Sequence, residues 1–110
     1  MKRPRRRSTQ PEKRVDQTHY LSGKRRGALL KEEVWYAGDE VVKYSLAYIN
    51  PRICGVDNGR VLGFDNSHNR HHRHYIGTVE EVEFVSYEAI LEHFEREVRA
   101  LWRQEDEEER

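Results

Sequence analysis

Between residues 29 and 48 apolar side chains fall in two runs of alternate positions, whereas from residue 87 they recur at every third or fourth. A period of two lines one face of a strand, and a period near 3.6 lines one stripe of a helix. A chain that switches once from the first to the second is expected to be α+β. Leu30, Val34 and Tyr36 alternate with Glu33 and Trp35, which predicts a strand over about 29–37, closed by the turn signal Gly38-Asp39. Val42, Tyr44, Leu46 and Tyr48 set one face of a second strand, with Lys43, Ser45 and Ala47 on the other. Asn50-Pro51 ends it. Asn58-Gly59 between two short apolar runs is a tight-hairpin signal and predicts strands at 52–56 and 61–65. Val82 and Phe84 alternate with acidic residues as in a further short strand. Ser86 is a good N-cap, and Tyr87, Ile90, Leu91, Phe94, Val98, Leu101 and Trp102 follow at helical spacing, predicting a helix over 87–103. The expected architecture is an antiparallel meander of four or five strands packed against one C-terminal helix. Phe94 and Leu101, two turns apart, are its expected anchors. His93 beside them reads as structural.

Charge divides the chain. Formal net charge is zero over 110 residues, yet residues 1–27 hold ten Lys/Arg against Glu12 and Asp16, and residues 80–110 hold twelve Asp/Glu against four Arg. Residues 1–27 lack an apolar period and read as a basic, disordered arm. Residues 28–104 read as the single domain, and 105–110 as an acidic tail that frays. Clusters such as Arg5-Arg6-Arg7 and Lys24-Arg25-Arg26 suit a polyanion or an acidic protein surface, or serve only as a solubilising arm. Cys54 is the only cysteine, so no intrachain disulfide can form, and it reads as a small buried strand residue. No apolar run is long enough to span a bilayer, and no apolar signal region follows the basic start. A cytoplasmic protein is expected. GxGxxG, phosphate-loop and CxxC patterns are absent, which removes support for dinucleotide folds and zinc fingers.

Chemistry concentrates between Gly63 and Gly77, which enclose four of the six histidines, two arginines and Asp65. Imidazole exchanges protons near neutrality. On a strand through His72, Arg73 and His74, both histidines point one way, with His71, Arg73 and Tyr75 the other. Residues two apart lie about 6.6 Å apart, so two imidazoles can flank one phosphate. His72 and His74 are then the candidate proton-transfer pair. Arg70 or Arg73 would neutralise charge on the phosphorane, and Asp65 would fix an imidazole tautomer. His68, Asn66, Arg70 and His71 are candidate substrate contacts. This is a metal-free route to cleaving RNA, and no cofactor is expected. The same residues suit a metal as well, through His72, His74 and either His68 or Asp65. A solvated polar loop without chemistry is the third reading.

Lys43-Tyr44-Ser45-Leu46-Ala47-Tyr48-Ile49, then Phe64-Asp65-Asn66 and His72-Arg73-His74, then a short acidic strand and a helix, resemble the TumE family of small toxins. The resemblance covers about residues 28–104, with the basic arm outside it. It implies a toxin neutralised by a cognate antitoxin from a neighbouring gene, with a helix-turn-helix domain as the expected type. Ribonuclease activity is inferred from the residue types and from how commonly small toxins attack RNA. The competing class is a non-catalytic module that binds nucleic acid or protein.

Overall fold

The computed structural model describes residues 10–108. Six strands form one antiparallel sheet in sequential order: β1 (Glu12–Tyr20), β2 (Leu29–Ala37), β3 (Glu40–Ile49), β4 (Arg60–Asp65), β5 (His72–Tyr75) and β6 (Thr78–Glu81). One helix, α1 (Tyr87–Glu108), packs over β3 and β4. The α+β meander with a C-terminal helix is therefore present, with six strands where four or five were expected.

Register and alternation divide the sheet into two faces. Val34, Tyr44, Leu46, Tyr48, Leu62 and Phe64 share the helix face and are all at most 1% exposed. Ile90, Phe94 and Val98 of α1 close the core over them, with Phe94 edge-on to Phe64 at 6.3 Å. Lys31, Glu33, Trp35, Lys43, Ser45, Ala47, Gly63, Asp65, His72 and His74 fall on the opposite, open face. Ser86 starts the helix as its spacing predicts, its Oγ accepting from the Ala89 N–H at 3.1 Å.

The additional strand comes from the segment expected to be disordered. β1 pairs with β2 from Glu12↔Tyr36 to Tyr20↔Leu29. It lacks an apolar period because it is held by its backbone ladder and by cationic side chains lying on aromatic rings. Lys13 lies over Trp35 at 5.0 Å and Arg14 over Tyr36 at 5.0 Å. Residues 1–9 of the arm lie outside the described residues. The two charged ends also meet. Arg25 donates to Glu105 at 3.2 Å, to Asp106 at 2.9 Å and to the Trp102 carbonyl at 2.9 Å. Lys24 pairs with Asp106 at 2.8 Å. Glu105 also accepts from the Tyr48 hydroxyl at 2.9 Å. This neutralisation carries α1 through Glu108, past the end expected at residue 103. Deleting residues 10–27 removes β1 and this clamp together. It is expected to lower the melting temperature by about 10 °C or more, which differential scanning calorimetry checks.

The strand expected at 52–56 is a correction. That segment forms turns, because Asn50 gathers it. Its carbonyl accepts from Ile53 and Cys54, both at 3.0 Å, and its Oδ1 accepts from Arg52 at 3.1 Å. Pro51 has no N–H to give to a ladder. Asn58 and Gly59 do take positive φ, 55° and 83°, but they lead from this loop into β4 rather than joining two strands. Cys54 is buried there, its thiol turned to the carbonyls of Val56 and Arg60. No helix among the described residues is long and apolar enough to cross a membrane.

Candidate active site

Asp65 ends β4 opposite His72, and Gly63 stands opposite His74. Adjacent strands thus bring one carboxylate beneath two imidazoles. His74 Nε2 lies 2.8 Å from Asp65 Oδ2, and His72 Nδ1 lies 3.5 Å from Asp65 Oδ1. The two rings are 6.1 Å apart, close to the strand repeat. Asp65 is only 9% exposed. Burial pushes its carboxyl upward, but the Ser67 N–H, the charge and hydrogen bond of His74, and the hydrogen bond of His72 outweigh that and hold it below the usual range.

Arg60 completes the cluster. Its Nε and Nη2 donate to Asp57 at 2.8 and 3.1 Å, Nη2 also reaches His74 Nδ1 at 3.1 Å, and Nη1 lies 3.7 Å from Asp65. A guanidinium can only donate, so in the neutral ring His74 Nδ1 accepts and the proton sits on Nε2, facing Asp65. Both nitrogens of His74 are occupied. His72 presents Nδ1 to Asp65, and no described group makes a hydrogen bond to its Nε2.

Gly63 makes room for this arrangement. A Cβ there would stand 2.7 Å from Arg60 Cδ and 3.1 Å from the Leu46 carbonyl. Gly63→Ala is expected to displace the guanidinium from His74 and destabilise the fold by about 1–3 kcal/mol. Imidazole nitrogen chemical shifts should show His74 losing its single tautomer. Arg60 was missed in the sequence. The available signal was Gly63 itself, since a glycine within a strand often marks a close approach.

The other sequence-derived candidates lie elsewhere. Arg73 crosses to the helix face, where it grips Glu97, its Nε at 2.9 Å, and reaches Glu80 at 3.2 Å. Glu97 is held below the usual carboxylate range, chiefly by that hydrogen bond. His71 stacks on Phe84 at 4.0 Å and accepts at Nδ1 from the Tyr44 hydroxyl at 2.8 Å. Burial, then the charge of His72, lowers the His71 pKa, while burial and Asp65 push Tyr44 up to about 12. The Tyr44 hydroxyl therefore keeps its proton for His71. Asn66 is a bracket: its Nδ2 donates to the Val42 carbonyl and its Oδ1 accepts from the Tyr44 N–H, both at 3.0 Å. His68 sits at φ 58° in an exposed turn, and Arg70 is exposed with Glu81 at 3.4 Å. His93 packs at a tilt against Phe64, ring centres 5.0 Å apart, and pairs with Glu97 at 3.1 Å.

Asp65, His72 and His74 could together hold a metal, their ligand atoms lying within 4.8 Å of one another. Coordination through His74 Nε2 would place a proton on Nδ1, facing an Arg60 N–H. Arg60 therefore opposes that mode unless it moves.

Fold and cluster define a small α+β protein with a carboxylate–imidazole centre on the sheet face opposite α1. The chain belongs to the TumE toxin family, whose model, described as toxin TumE, matches residues 5–102. That membership suggests a toxin of a toxin–antitoxin system and implies a cognate antitoxin. The match begins within the basic arm, which the sequence resemblance had left outside. No curated protein and no solved structure matches the chain significantly.

Proposed function

We propose that this chain is a toxin that cleaves RNA without metal, using His72 as the proton-transferring group. The observation that carries the reading is the single Asp65 carboxylate shared by His72 and His74, with Arg60 donating to His74. His72 Nε2 takes the proton of a ribose 2′-hydroxyl, and the oxygen attacks the adjacent phosphorus. Asp65 stabilises the imidazolium that forms. The imidazolium then returns its proton to the departing 5′-oxygen. Arg60, rather than Arg73, is the guanidinium near enough to offset charge developing on the phosphorane. His74 acts as a positioning residue that holds the carboxylate. On this reading the site of action is the cytoplasm.

A metal-assisted nuclease is the second reading, favoured by the spacing of Asp65, His72 and His74. End-group mapping of cleaved RNA in excess EDTA separates the two. The metal-free route is expected to persist and to leave a 2′,3′-cyclic or 3′-phosphate. Cleavage that stops on chelation and resumes with zinc or manganese would replace it with the metal reading.

A further inference from the structure

The open face carries a second set of groups that the chemistry at Asp65 does not use. Trp35 on β2 stands opposite Lys43 on β3 and, on its other side, Lys13 on β1. The Lys13 and Lys43 ammonium nitrogens lie 5.0 and 4.6 Å from the centre of the Trp35 ring. Lys13 is paired with Glu33 and Asp16. Lys43 is exposed, and no described carboxylate pairs with it. The row continues toward the imidazoles: Lys43 and Ser45 share the open face, and Ser45 stands opposite Asp65. Strand spacings place Trp35 about 12 Å from Asp65 along the sheet. Between them on β3 stands Ser45, whose side chain is small, with Glu33 opposite it on β2. Helix α1 covers the other face.

We propose that Lys13, Trp35 and Lys43 form a subsite for single-stranded RNA on the same sheet face as His72. The ammonium groups hold phosphates, and a base stacks on the indole in place of one of them. Single-strand sites combine cations that track the backbone with aromatic platforms for unpaired bases, and this row has both. A protein partner docking by apolar contact would find Glu33, Ser45 and Asp16 around one ring. The subsite deepens the ribonuclease reading and rests on it for its place on the face of the reacting atoms.

The test measures binding of a labelled 12-nucleotide RNA with 2′-O-methyl groups, which has no 2′-hydroxyl to attack and so cannot be cleaved by that route. Trp35→Ala is expected to weaken binding about 5- to 150-fold, and Trp35→Phe far less. Lys43→Gln is expected to reduce the slope of log affinity against log salt by about 0.7, one phosphate on a single strand. Lys43 is exposed, so this variant keeps the test decisive even if Trp35→Ala fails to fold. Wild-type affinity and slope in Trp35→Ala, Lys13→Gln and Lys43→Gln would overturn the proposal, as would no binding by the wild type. So would equally tight displacement by a polyglutamate peptide, which would assign the row to an acidic protein segment. A protein that binds through Trp35 but leaves unmodified RNA intact would sink the ribonuclease reading and leave the subsite standing. Cleavage by a protein whose oligonucleotide binding ignores all three residues would do the reverse.

Discussion

Replacing His72 with alanine is expected to lower the rate of RNA cleavage by about 10²–10⁴-fold, the usual worth of a positioned proton transfer. The loss should fall on kcat, because the imidazole acts on the reacting hydroxyl rather than on remote parts of the substrate. His74→Ala should cost less. It removes no reacting group but frees Asp65 to move toward Arg60 Nη1, now 3.7 Å away. Asp65→Asn should approach the His72 loss, since an amide cannot stabilise the imidazolium. Growth arrest on expression, compared across the same variants, gives the cellular readout. Arrest that survives loss of both histidines would favour the non-catalytic binding module.

Phe94→Ala should destabilise the fold by about 3–5 kcal/mol, the range for a large aromatic removed from a well-packed core. Phe94 is 5% exposed and packs edge-on against Phe64, itself fully buried beneath α1. The domain is small, with total stability on the order of 5–15 kcal/mol, so a melting temperature lowered by more than about 12 °C is expected. Leu101 lies on the same stripe but is only partly buried. Leu101→Ala should therefore cost less than about 2 kcal/mol, at or below the low end for buried leucines. Thermal melts of the two variants check the order. Equal losses would mean that α1 is buried evenly toward its C-terminus.

Much of the scaffold was legible because it is written in local period. Alternation from Leu30 to Tyr48 marks β2 and β3, and the stripe from Tyr87 to Trp102 marks α1. The same alternation puts His72 and His74 on one side of β5 and Arg73 on the other. The hairpin expected across Asn58-Gly59 failed for a reason outside its own residues. Asn50, eight or nine positions earlier in the chain, draws Arg52, Ile53 and Cys54 into turns.

By itself, then, the sequence determined the α+β class, the helix with its Ser86 cap, and the grouping of imidazoles near a carboxylate. Each follows from side-chain spacing over a few residues. Only the tertiary structure decided that residues 12–20 form an edge strand, since backbone hydrogen bonds to β2 carry little signature in side chains. It alone joined Arg25 to Glu105 and Asp106, turning two opposite charge runs into one clamp. It also exchanged the arginines. Glu97, 24 residues along the chain on α1, takes Arg73, while Gly63 opens the space through which Arg60 reaches His74 and Asp65. Such partners are chosen by the packing of helix on sheet and of strand beside strand, and spacing along the chain does not encode them.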